Sequence, residues 1–457
     1  MAGRHHDPAA PPPTVSVRLI WLQRAGLTLL LIFLVLLARE AATRSIDFPV
    51  YHRAARQVLA GHYEFYPVEA YGGTPGPSQG FRYAPAIAFL FVPFGWLPLE
   101  LAALAFFALK LAALWYVGAT VARHVGLSQG RRQVLLVAFL IVGGYIAEEL
   151  QFGNVHFLCI ALMVFAYDRA ESGSILLPAA ALAVAIATKV TPVALLAYFA
   201  FRRRAAVCVV TAAILALLIL APAAVMGTAA NARELRAFAT YAAEKIEEGD
   251  NYSLRGVLIR HLTAGHADVS HLEASVADLP PAVVNGLWLV GLVGLGVAAL
   301  AAMWRDDHDP VVRLLEFSIV LTGIVLASPH TQRRYFVALY VPAVALVALL
   351  VRRPVPADKR AILIGLLAMA APATILPLLF GGRWLALRYE ATSPYFFGTL
   401  VLFGVLVMMT IRRKAAHATR EHETRIAGAR ASGTATEAPA STTEIGLSSS
   451  NGSSKRV

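Results

Sequence analysis

Asp47 stands in Ser45-Ile46-Asp47-Phe48-Pro49-Val50-Tyr51, a few residues past the first long apolar run, where aromatic neighbours can hold a carboxylate at a membrane surface. A carboxylate there can act as a general base, worth about 10² to 10⁴ in rate, or it can simply cap the helix that follows. Lys189 lies in Ala187-Thr188-Lys189-Val190-Thr191-Pro192, between two apolar runs, with Pro192 able to break the helix. At membrane depth its ammonium needs an anion, for which a lipid phosphate is suited, or it snorkels to the interface. Ser328-Pro329-His330-Thr331-Gln332-Arg333-Arg334-Tyr335 packs a histidine and two arginines into one turn. Paired arginines hold phosphate bidentately and a histidine can shuttle a proton or steady a leaving group, although two arginines can equally anchor at headgroups. Gln151-Phe152-Gly153-Asn154-Val155-His156, a polar break preceded by Glu148 and Glu149, offers amides that can bind sugar hydroxyls or satisfy a buried turn. Asn251-Tyr252-Ser253-Leu254-Arg255 sits among residues that look like solvated surface.

The elements that must position these groups are set by composition. Of 457 residues, 58% are hydrophobic and 15% charged, and the mean hydropathy is +0.63; a soluble chain carries about 25% charged residues. Apolar runs near the ~20 residues that cross a bilayer recur from Ile20 to Ile411. Runs such as Leu27 to Ala38 and Val290 to Met303 are continuously apolar, which excludes the alternation of a membrane β-barrel. The fold class is therefore all-α and polytopic, with about 12 transmembrane helices. The net charge of +12 comes mainly from Lys and Arg in short loops and tails, so it marks topology rather than nucleic-acid binding. Cys159 and Cys208 lie in apolar segments and suggest no disulfide or thiolate site. No Gly-rich phosphate loop, His-Glu-x-x-His or Cys-x-x-Cys occurs, which disfavours nucleotide hydrolysis and zinc catalysis. The sequence calls for no cofactor, and no carboxylate pair marks a divalent-metal site.

Residues 1–17, with three consecutive prolines, and 412–457, rich in Ser, Thr, Ala and Gly, are expected to be disordered cytoplasmic segments around a membrane domain at 18–411. The first apolar run lacks a small-residue cleavage site and is expected to be retained. Basic clusters at Arg202 to Arg204, Arg305, Arg352 to Arg360 and Arg412 to Lys414 place those loops inside, leaving loops 39–83 and 228–283 outside. Tyr51 to Ala60 is expected to form a short helix on the outer surface, and Gly72 to Pro77 a loop. Ala84 to Ala122 fits one crossing with a re-entrant piece, which puts the Gln151 and Lys189 motifs on the same outer face as Asp47; two crossings would put them on the other side.

Taken in order, several segments resemble the membrane-embedded GT-C glycosyltransferases, most closely glycosyltransferase family 87, which includes polyprenyl-phosphate-mannose-dependent α-1,2-mannosyltransferases. They are Asp47 to Tyr51 with Ala60 to Pro67, then Phe81-Arg82-Tyr83-Ala84-Pro85, Gln151 to Asn154, Lys189 to Pro192, Asn251 to Leu254 and Ser328 to His330. The likeness runs from about residue 20 to about residue 350. It implies an inverting enzyme that moves a hexose, by family mannose, from a polyprenyl phosphate to a lipid or glycan acceptor at the outer face. Asp47 would deprotonate the acceptor, with His330 as a second catalytic group. Lys189, Arg333 and Arg334 would hold the donor phosphate, and Tyr51, Arg82, Gln151, Asn154, Asn251 and Ser253 the sugar or acceptor. The turn Gln332-Arg333-Arg334-Tyr335 departs from relatives that carry a further histidine or acid there. No nucleic acid and no obligatory protein partner is implied. A transporter or flippase of lipid-linked sugars would also need polar residues at membrane depth, and paired broken helices in two related halves would favour it. A ligase or acyltransferase would make His330 the indispensable base.

Overall fold

A computed structural model of the chain describes residues 17–67, 80–243, 250–265, 274–352, 354–373 and 376–434. The Gly72 to Pro77 loop, the leader to residue 16 and the end of the tail lie outside them. Among the described residues every regular element is helical. The chain divides into two compact units, 1–410 and 411–457, and the residues discussed below as a site belong to the first.

Among the described residues six helices are long and apolar enough to cross a membrane: Leu99–His124, Ala205–Met226, Pro281–Met303, Pro310–Ala327, Arg333–Val351 and Pro394–Ala427. A seventh crossing arises if Arg131–Ile141 and Gly143–Phe152, bent by 77° at their junction, count as one broken span. The expected dozen is thus not reached by continuous helices. The apolar runs are interrupted: Leu176–Thr188 stops four residues before Pro192, and Gly153 ends the bent pair. The chain is a multi-pass helical membrane protein. Its outward apolar faces, such as Leu289, Val290, Val293 and Val297, are exposed as lipid would require.

Two apolar clusters fill the interior of the first unit. The larger joins Leu99–His124, His156–Glu171, Leu176–Thr188, Pro310–Ala327 and the helix ending at Val351. The smaller is aromatic and seats the segment after the first helix: Phe48, Tyr51, Phe65, Phe81, Phe91 and Phe106 are all buried in it. Phe48 stacks on Phe106 with ring centroids 4.9 Å apart. The helix expected at Tyr51 to Ala60 spans Phe48–Leu59 instead. Pro49 lies in its first turn, where a missing N–H costs nothing and the fixed φ favours helix; Gly61 follows at φ +73°. Between 84 and 122 one long helix follows two short ones, Pro85–Leu90 and Val92–Gly95, in keeping with a single crossing. The expected disorder from residue 412 needs correction, because Pro394–Thr434 continues as helix. Ala415, Ala416 and Ala418, with Glu421 four residues before Arg425, are strong local helix formers that the Ser-rich end obscures when the tail is averaged.

Candidate active site

The geometry around Asp47 is built by the turn after the bent pair. Helix Gly143–Phe152 closes at Gly153 with φ +70°, and a Cβ there would lie 2.7 Å from the Phe48 Cβ. Only glycine both accepts that left-handed conformation readily and leaves room for the incoming chain. Asp47 N–H then donates to the Phe152 carbonyl at 2.9 Å. The Asn154 amide donates through Nδ2 to Asp47 Oδ2 at 2.8 Å, while its Oδ1 accepts from His156 N–H at 2.8 Å. That backbone donor fixes which way the amide points.

Behind this turn lies a buried pair. Lys110, 1% exposed in the middle of Leu99–His124, donates to the carbonyls of Glu149 at 2.6 Å and Asn154 at 3.3 Å. Glu149, also 1% exposed, accepts from Phe157 N–H at 3.0 Å. An ammonium on the last carbonyls of a helix meets the negative end of its dipole, so Lys110 braces the turn that carries Asn154.

Asp47 occupies the N-cap position of Phe48–Leu59, yet its side chain makes no capping hydrogen bond. Its Oδ2 faces Asn154 and lies 3.5 Å from Arg334 Nε; Oδ1 has no hydrogen-bond partner among the described residues. The capping role considered for it is not the one it takes. Lys189 follows the last turn of Leu176–Thr188 in extended backbone. Its Nζ is buried without a hydrogen-bond partner among the described residues and sits 3.6 Å from the centroid of the Tyr335 ring. Arg334 lies over the Phe152 ring at 4.6 Å.

His330 rides on a turn that the Asn251 motif holds in place. Asn251 Nδ2 donates to the Pro329 carbonyl at 2.9 Å, and its Oδ1 accepts from Thr331 N–H and Ser253 N–H, both at 3.0 Å. Ser253 Oγ caps Leu254–Leu262 by accepting from Gly256 N–H at 3.2 Å. Burial, reinforced by Arg82, Lys189 and Arg334, pushes the His330 imidazole down to about 4. At neutral pH it offers an N–H or a lone pair and no charge.

Asp47, Tyr51, Arg82, Asn154, Lys189, His330 and Arg334 together line one cavity of about 380 Å³, within the usual range for a small-molecule site. The Tyr51 hydroxyl meets that of Tyr83 at 2.8 Å, and burial holds both phenols neutral by raising their pKa. The other expected site residues lie off this wall. Arg333 turns to Glu148 at 3.3 Å and Glu390 at 3.0 Å, so its charge is matched elsewhere. Gln151 is half-buried away from the lining, and Asn251 and Ser253 act through the His330 turn. His156, Tyr335, Thr188 and Gln332 line the cavity as well. No residue spacing marked them, although His156 ends the Gln151 motif. Among the described residues no cluster of three or more His, Cys, Asp or Glu is arranged to hold a metal.

The family model of glycosyltransferase family 87 matches residues 81–329, more than half of the chain. The chain belongs to glycosyltransferase family 87. Within the family 87 match fall Arg82, the Asn154 turn, Lys189 and the Asn251 motif; His330 and Arg334 lie just past its end and Asp47 well before its start. Among solved structures this family 87 member is similar to ArnT from Cupriavidus metallidurans in the apo state, at 14% identity, covering 86% of this chain and 78% of that one, with a TM-score of 0.43. The same protein bound to undecaprenyl phosphate matches at 13% identity over 86% and 79%, also with a TM-score of 0.43. A search of curated proteins finds no match to the chain. Family 87 membership makes the chain a membrane glycosyltransferase.

Proposed function

We propose that the chain transfers a hexose, by family resemblance mannose, from a polyprenyl phosphate to a lipid or glycan acceptor at the outer face of the membrane, inverting the anomeric carbon with Asp47 as general base. The observation that carries this reading is one cavity lined by a carboxylate and by a buried ammonium that has no hydrogen bond or ion pair among the described residues. The acceptor hydroxyl oxygen attacks the anomeric carbon as its proton passes to Asp47. The bond from that carbon to the phosphate oxygen breaks, and polyprenyl phosphate leaves with the electron pair. The phosphate goes from one negative charge to two as Asp47 is neutralised, so the net charge is conserved while negative charge moves toward the cations. Lys189, Arg334 and Arg82 are the groups suited to receive it.

Asn154 supports the base by holding Oδ2, which leaves Oδ1 for the proton. His330, neutral among cations, is suited to a hydrogen bond with donor or acceptor rather than to proton donation as a cation. Arg333, matched by Glu148 and Glu390, is a poorer phosphate ligand than its neighbour. Basic residues 202–204, at the far end of the helix that follows Pro192, support an external cavity under the positive-inside bias.

The test is transfer of labelled mannose from polyprenyl-phosphate mannose to membrane lipid extract by purified protein, comparing wild type with D47N and D47A. Loss of about 10² to 10⁴ in rate with folding intact is expected for both. Full activity of D47N would remove the base assignment, and a wild type inactive with several polyprenyl donors would remove the donor class.

A further inference from the structure

His156 opens helix His156–Glu171, and its ring is buried in the cavity wall; the Tyr335 backbone lies within reach of the ring, but neither nitrogen makes a well-formed hydrogen bond among the described residues. Buried polar side chains almost always have partners, so an imidazole on a cavity wall with at least one nitrogen unmatched by the protein marks a ligand contact. The imidazole stacks on Tyr335 at 4.6 Å between centroids, and Lys189 Nζ, also unpartnered, lies over that same ring. Tyr335 thus packs against both the imidazole and the ammonium on the wall of one cavity, beside a helix N-terminus where partial positive charge favours an anion. His156 also borders a second, wholly apolar recess of about 20 Å³ lined by Cys159, Ile160, Met163 and Leu321. The recess is too small for a chain segment, but it shows that mostly apolar core side chains begin at this ring.

We propose that His156 is a donor-binding residue: with Lys189 it holds the phosphate of the lipid-linked sugar at the junction between polar headgroup and isoprenoid chain. A phosphodiester bearing an apolar tail is the ligand whose own polarity changes where the wall's does. The inference rests on the glycosyl-transfer reading above and assigns a contact that reading leaves open.

The test uses the full chain in lipid nanodiscs, with polyprenyl-phosphate mannose as donor and undecaprenyl phosphate as product inhibitor. H156M removes both nitrogens at similar volume and keeps an apolar contact with Tyr335; H156Q restores a donor and an acceptor. Losing a hydrogen bond to a charged group corresponds to roughly 10- to 100-fold. H156M should raise the donor KM and the inhibitory concentration of undecaprenyl phosphate by that factor while the acceptor KM stays within about twofold, and H156Q should recover most of the loss. Unchanged donor KM and inhibition in H156M overturn the assignment, as does a rise in acceptor KM alone or a failure of H156Q to rescue. A wild type that turns over no polyprenyl donor removes the proposed function and this contact together, whereas an active wild type with an indistinguishable H156M removes only the contact.

Discussion

Replacing Lys189 with methionine separates function from stability. Its Nζ is buried, makes no hydrogen bond or ion pair among the described residues and lies over the Tyr335 ring. A cation–π contact of this kind is worth about 1 to 2 kcal/mol, while an uncompensated buried ammonium costs several. K189M should therefore unfold at the same temperature as wild type or higher. Catalysis responds in the opposite direction. At ~4 Å and an effective dielectric of ~20, an ammonium attracts each unit of phosphate charge by ~4 kcal/mol. One unit is present in the bound donor and a second develops as the bond breaks; if about half of that second unit is present at the transition state, ~2 kcal/mol is lost from kcat, or roughly 30-fold. The ground-state share adds to this in KM, taking kcat/KM down by about 10³ or more. Steady-state transfer kinetics beside thermal unfolding in detergent read both quantities. A K189M protein that melts well below wild type yet keeps its donor kcat/KM would refute the argument, since Lys189 would then be a structural group.

Three further outcomes follow from the geometry. N154A deletes the 2.8 Å hydrogen bond that orients Asp47, and transfer assays should show kcat lower by roughly 10- to 100-fold with donor KM nearly unchanged. G153A forces a Cβ to within 2.7 Å of Phe48 Cβ at φ +70°; thermal unfolding should show a loss of about 1 to 3 kcal/mol, with activity falling in parallel. His330 has its folded pKa pushed down to about 4 from 6.5, so the native state binds fewer protons than the unfolded chain as pH falls below 6.5. That part of the stability is complete above 6.5 and lost progressively toward 4, and H330Q should therefore lose less melting temperature than wild type between pH 7 and pH 5.

The residues legible in the sequence were those whose chemistry conflicts with their surroundings. An acid just past a membrane helix and a lysine between apolar runs announce themselves because charge in hydrocarbon is costly, and Asp47 and Lys189 do meet in one cavity. Arg333 and Arg334 could not be told apart that way. They open a 3₁₀ segment, Arg333–Leu339, in which successive side chains diverge by about 120°, so one faces the cavity and its neighbour faces Glu148 and Glu390. Asn251 looked like solvated surface because its partners, Pro329 and Thr331, are about 80 residues away. His156 was hidden by position, since a histidine at the start of an apolar helix has the same signature whether or not its nitrogens find partners. The number of spans could not be read from hydropathy for a related reason: it counts apolar runs, and whether two runs form one bent crossing depends on features such as the 77° bend between Arg131–Ile141 and Gly143–Phe152.

Lys110 ties the site to the order in which the chain is made. Helix Leu99–His124 leaves the ribosome 39 and 44 residues before the carbonyls of Glu149 and Asn154 that receive its ammonium. Until they arrive, a lysine sits at the centre of a membrane segment at a cost of ~2.5 to 3.5 kcal/mol on insertion scales, carried by the leucines and phenylalanines around it. The helix can insert on that surplus, but it has a reason to stay near the translocation site until the bent pair follows. The Asn154 turn supplies those partners, so the group that satisfies Lys110 is the same one that seats Asp47.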